Sequence, residues 1–205
     1  KLPFFNNLTK KKPVFFLVLV LRDEKANAVI FEEQKGKIRV VGQHEESFRD
    51  SIDNASLEEL LEVLDSAISK AESTLPEDVE THKTIFGVKE SWVENDKIKK
   101  DHLLKLKKIS DELELTPIGF LIISQAVSYL LQKEEGAPIS AILIDAGKKY
   151  ITISLIRSGK IIETKNAEIQ ENIPATVDNL LKHFYPSQIL PSRIVVVDWQ
   201  KDLSQ

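Results

Sequence analysis

Ile142-Leu143-Ile144-Asp145-Ala146-Gly147-Lys148-Lys149-Tyr150-Ile151-Thr152-Ile153 contains two apolar runs split by a polar turn. The first run, Ile139–Ile144, is almost continuously apolar, as expected of a strand buried on both faces. Asp145, Gly147 and two lysines interrupt it with the residue types that favour tight turns. Tyr150–Ile156 resumes the strand pattern, Ser158-Gly159 turns the chain again, and Lys160–Thr164 supplies a third strand. A helix is expected around Ile173–Phe184, with Pro174 near its start and Pro186 beyond its end. Arg193–Asp198 then reads as a further strand.

Moving outward, the amino-terminal part has the same order. Val14–Leu21 is an apolar strand, followed by a short charged turn, Ala28–Glu33, the turn Lys35-Gly36 and Lys37–Gly42. Ser56 and Glu59 have capping-box spacing, and Leu57, Leu60, Leu61, Leu64, Ile68, Ala71 and Leu75 recur at helical intervals before Pro76. A strand at Thr84–Val88 and a charged loop follow, and Asp101 is expected to open a helix carrying Leu103, Leu106, Ile109 and Leu113. Pro117 precedes a strand at Ile118–Ile123, and Ser124 is expected to cap a helix ending at Gly136. Gly-Lys-Ile stands at the second turn of both parts, at 36–38 and at 159–161. This order indicates a duplicated α/β unit. The seam is Gln132–Pro138, giving expected lobes at 13–131 and 138–205.

Composition removes several functions. The 205 residues carry 28 basic and 32 acidic side chains, a formal charge of −4, which argues against an unassisted nucleic-acid or anionic-membrane surface. The absence of cysteine excludes disulfides, thiolate metal sites and thiol nucleophiles, and fits a reducing compartment. None of the 7 glycines are adjacent or two apart. That excludes a Walker A loop, a G-x-G-x-x-G fingerprint and a G-x-S-x-G elbow, whose backbones need glycine to approach a ligand or reach positive φ. The longest apolar run, Val14–Leu21, is far shorter than the roughly 20 residues of a membrane span. There is no methionine and residue 1 is Lys, so the chain reads as a piece of a longer or processed product.

Three hairpin-linked strands followed by alternating helices and parallel strands match the ribonuclease H-like plan, and two copies make the actin, Hsp70 and sugar-kinase superfold. The stretch Ile142–Ile153 resembles the opening of the second copy in the bacterial actin-like ATPase group of FtsA and PilM. There an apolar strand runs into D-[IV]-G-G-G-T-T-D-[IVL], and Ser158-Gly159-Lys160 falls at the expected [ND]-G-K turn. Leu115–Phe120 through Ser124-Gln125-Ala126 is similar to the passage between lobes.

The departures govern the functional expectation. The first phosphate loop, D-[IV]-G-T-[ST], should follow the first strand, where Arg22-Asp23-Glu24-Lys25 stands, and no glycine precedes Gly36. The second loop keeps Asp145 and Gly147 but has Lys148 and Lys149 for two glycines, and Thr152 for the second acid. The third, glycine-paired loop is replaced by Asp198-Trp199-Gln200-Lys201. Only a loop and one helix fit within Val88–Leu115, so no large inserted subdomain is expected, and the second lobe is expected to be incomplete.

The resemblance therefore implies a non-catalytic scaffold or assembly-platform protein of pilus, secretion or cell-division type, with no cofactor. It would be cytoplasmic, peripheral to the inner membrane through a partner, with a protein or peptide partner, no nucleic acid and no direct membrane insertion. The competing reading is a working binder of ATP and magnesium using Asp145, Lys148 and Lys149. A ribonuclease H-like nuclease is weaker, because the strand ends offer Asp145 and Asp198 without a clear third carboxylate.

Asp145, Gly147, Lys148 and Lys149 form the candidate degenerate phosphate loop. Asp145 reads either as a magnesium ligand or as a turn-former, and the lysines either as phosphate contacts or as solvated charges. Arg22, Trp199 and Lys201 are the candidate partner-docking residues of a vacated cleft. Trp92 is either a partner anchor or a partly buried residue. His44, His82, His102 and His183 lack metal-ligand spacing and are expected to be surface or cap residues. The pairs Glu58-Glu59 and Glu134-Glu135 read as solvated helix faces.

Overall fold

In the computed structural model, strand β1 (Val14–Leu21) alternates as its sequence requires. Leu17, Leu19 and Leu21 are fully buried on one face. Phe16, Val18 and Val20 stand on the other. There Phe16 stacks on Phe31 with ring centroids 5.7 Å apart, and these residues join none of the buried clusters. The structure describes residues 12–76, 79, 81–170, 172–184 and 189–198.

β2 (Lys25–Gln34) and β3 (Lys37–Ser47) complete an antiparallel meander, and β4 (Lys83–Val88) and β7 (Thr116–Ile122) extend it in parallel, in the order β3-β2-β1-β4-β7. A 3₁₀ turn at Glu90–Trp92 and a two-stranded ribbon, β5 (Val93–Glu94) with β6 (Lys97–Ile98), lie between. The second sheet has the order β10-β9-β8-β11, from β8 (Ala141–Ala146), β9 (Tyr150–Arg157), β10 (Lys160–Glu168) and β11 (Ile194–Asp198). In it β8, β9 and β10 form the meander and β11 pairs parallel to β8. The fold is thus a duplicated α/β arrangement of two mixed sheets, each led by three antiparallel strands. Gly36 and Gly159 sit at φ +76° and +77° in the two equivalent hairpin turns, a conformation that glycine adopts without strain.

Helix α1 (Leu57–Glu72) lies over β2 and β3. Its Leu60, Leu64, Ala67 and Ile68 join Leu17, Leu19, Ile30, Trp92 and residues Leu106 and Ile109 of α2 (Lys100–Glu112) in the first core. The close approach depends on Gly42, where an added Cβ would collide with the Ala71 carbonyl oxygen. The second sheet is packed on both sides. Leu180 of α4 (Ile173–Lys182) and nearby Phe184 cover Ile142, Ile144, Ile151, Ile153 and Leu155. On the other face, Val127 and Leu131 of α3 (Ile123–Glu135) pack against Ile139, Ala141, Leu143 and Ile156.

Several boundaries differ from expectation for local reasons. Ser124 does not cap α3: Ile122 holds that position, and the Ser124 hydroxyl donates to Glu90 Oε2 at 2.5 Å. α2 starts at Lys100, with Lys99 as its cap, so Asp101 lies in the first turn. Pro117 sits inside β7, which is an edge strand and tolerates a missing N–H. β3 and β10 run to Ser47 and Glu168, because hairpin pairing carries their polar ends beyond the apolar pattern. Each also has one register shift, at Ile30/Phe31 and at Ile161/Glu163, which hides the alternation.

Candidate functional site

Strand periodicity aims two side chains at each other. The alternation that buries Leu17, Leu19 and Leu21 turns Arg22, just past the end of β1, to the opposite face. Asp145 shares its face of β8 with Ala141 and Leu143. The two sheets bring these faces together, and the Arg22 guanidinium donates to Asp145 Oδ1 as an ion pair, with side chains 10% and 26% exposed.

The next two residues of the same turn also cross the gap. Asp23 accepts from Lys89 Nζ at 2.6 Å and from Asn166 Nδ2 at 3.1 Å. The Glu24 carboxylate accepts the backbone N–H groups of Lys148 (2.7 Å), Lys149 and Tyr150 (3.1 Å). Lys149 Nζ reaches Asp50 at 3.0 Å. The Asp50 carboxyl is held below its ordinary range, first by Asn54 and then by Lys149, and Lys149 is raised in return by Asp50. Beside these contacts lies a cavity of about 270 Å³, with Ile123, Val127, Leu143 and Val197 on its apolar wall and Thr152, Ser154 and Thr164 among its polar groups.

Magnesium or a nucleotide phosphate at this site would meet groups that are already engaged. A metal at Asp145 would compete with Arg22, which already supplies the neutralising charge. A phosphate at the Lys148–Tyr150 amides would meet the negative Glu24 on those same donors. Among the described residues, no group of three or more histidines and acids is placed to hold a metal ion.

The structure thus gathers Asp145, Gly147, Lys148 and Arg22 around one cavity, with Lys149 beside it. Arg22, a candidate docking residue, is paired with Asp145. Trp199 and Lys201 lie outside the described residues, as does the third loop beyond Asp198. Trp92 is not a partner anchor: it is 1% exposed, and its indole N–H donates to Asp53 at 2.8 Å. His102 stacks on that indole, with centroids 4.4 Å apart, rather than acting as a simple surface or cap residue. The contributions of Asp23, Glu24, Lys89 and Asn166 were not read from the sequence. The available signal was the unbroken charge run Arg22–Lys25 following an apolar strand, which demands partners somewhere.

No family model matches the chain, and no curated protein matches it in sequence. Solved structures do match it. In a PilM-PilN type IV pilus biogenesis complex, a chain 9% identical superposes with a TM-score of 0.61 over 92% of this chain and 82% of that one. A Bacteroides thetaiotaomicron protein with an actin-like ATPase fold and unknown function gives 8% identity and a TM-score of 0.53, covering 98% and 88%. The ethanolamine utilization protein EutJ from Carboxydothermus hydrogenoformans gives 14% identity and 0.52, covering 86% of this chain and 58% of that one. The chain also spans only 53% of the length of a Cytophaga hutchinsonii exopolyphosphatase. At these identities the likeness establishes the fold: the chain has the actin-like ATPase fold.

Proposed function

Starting from an actin-like ATPase fold, we propose that this protein is a non-catalytic scaffold that works by binding another protein. The observation that carries the reading is Arg22 on Asp145. The acid that would bring magnesium to a nucleotide already faces a guanidinium, whose positive charge stands where a cation would. The first loop adds no glycine and presents Glu24 where a phosphate would need a donor.

A protein partner is supported by the fold shared with a chain of a PilM-PilN complex. Among the described residues, no helix is long and apolar enough to cross a membrane. On this reading, a membrane-associated platform of pilus, secretion or cell-division type would be reached through the partner.

Calorimetric titration with Mg-ATP tests the loss of nucleotide chemistry. The expected result is no binding heat, and no change in any trace hydrolysis on Asp145→Ala. Saturable binding, together with a loss of turnover in Asp145→Ala, would replace this reading with that of a working ATP-binding protein.

A further inference from the structure

We propose that the turn Arg22-Asp23-Glu24 is a built-in latch that holds the two sheets against each other, Glu24 acting as a tethered anion in a nest of backbone N–H groups. Three consecutive side chains of one turn each bond to the second sheet or its hairpins: Arg22 to Asp145, Asp23 to Asn166, and Glu24 to the Lys148–Tyr150 amides. The paired residues lie 123 to 143 positions apart in sequence. The contact is therefore wholly tertiary.

Glu24 is the centre of the device. Successive N–H groups in a turn make a concavity that favours an anion, and bonds from them to a carboxylate are charge-assisted. Gly147 permits the approach: a Cβ there would lie 2.9 Å from Glu24 Oε2 and 3.0 Å from the Tyr150 carbonyl oxygen. Its φ is not positive, so what the glycine serves is close approach, of the Glu24 carboxylate and of the Tyr150 carbonyl across the turn. Opening the latch would uncover the cavity beside it, where Val127 and Leu143 form an apolar wall. The inference stands on Glu24 and Gly147, and does not require the scaffold reading.

The absence of native cysteine makes a direct test clean. Spin labels at Glu58→Cys on α1 and Asn179→Cys on α4, both exposed, report the distance between the sheets by pulsed dipolar spectroscopy. The expected parent signal is one narrow distance. Glu24→Ala should shift a substantial population to longer, broader distances, and Gly147→Ala should do the same by crowding the carboxylate. Glu24→Gln, which keeps the shape and loses the charge, should shift less and guards against a variant that fails to fold. Parent-like distance distributions in all three variants would overturn the proposal. Mg-ATP titration reads a different quantity, so failure of the latch and failure of the scaffold reading are separable.

Discussion

At the scale of single residues, the cluster around Trp92 shows how burial converts ordinary side chains into pH-sensitive ones. His102 is pressed against the indole, and this burial holds its pKa below the ordinary histidine value despite the attraction of Asp53. Burial alone would raise Asp53, but hydrogen bonds from Lys89 and Trp92 outweigh it and hold the carboxyl below its usual range. The signs follow from linkage. The unfolded chain protonates His102 first, near its ordinary value of about 6.5, so stability falls as pH drops below that point. Asp53 contributes stability above the usual carboxylate value of about 3.9, and that contribution fades only as pH falls further. Urea melts at pH 7.5 and 5.5 should therefore show lower stability at 5.5. His102→Phe, which keeps a ring on the indole, should flatten that difference. An unchanged slope in the variant would remove His102 from the explanation.

At the scale of elements, α1 shows which parts of a helix the sequence specifies. Ser56 is the N-cap as its spacing predicts, its hydroxyl accepting the Glu59 N–H at 3.1 Å. The reciprocal half of the capping box is not made, because the Glu59 carboxylate accepts the Arg49 N–H at 2.7 Å instead. The helix thus exchanges a local bond for one that ties down the segment leading into it. Ser56→Ala should cost about 1 kcal/mol. Leu64→Ala should cost about 2–5 kcal/mol, since Leu64 is fully buried against the sheet and its removal leaves a cavity. Both are read as shifts in urea midpoint at constant slope. A Ser56→Ala loss as large as that of Leu64→Ala would mean the cap anchors more than one helix end.

At the scale of the whole molecule, the two sheets have separate apolar cores, while the turns that meet between them do so largely through polar and charged contacts. Hydrophobic burial carries most of a fold's cooperativity, so this arrangement predicts partial independence. Among the described residues, the first core holds more buried residues than the two clusters of the second sheet together, and it should melt later. With Trp199→Phe, Trp92 is the sole tryptophan and reports the first core alone. Its fluorescence transition should fall at higher urea than the midpoint of far-ultraviolet circular dichroism, which sees both sheets. Coincident curves would mean the interface couples them into one unit.

Legible in the sequence were the order of the principal strands and helices, though not the short β5–β6 ribbon expected as a loop, and the duplication with its paired Gly-Lys-Ile turns. Those are local properties: strand runs, helical spacing and the need for glycine at particular backbone positions are all written in neighbouring residues. It also singled out Asp145 and Gly147 as members of a candidate loop. Which groups these residues meet was set by the three-dimensional packing. Arg22 and Asp145, or Glu24 and the Lys148–Tyr150 amides, are separated by more than a hundred residues, and no periodicity links them. Nor does composition tell whether a charged turn faces water or a second turn. That depends on how two sheets come together, and packing within the first core likewise decided between the two readings of Trp92, making it a core residue bonded to Asp53.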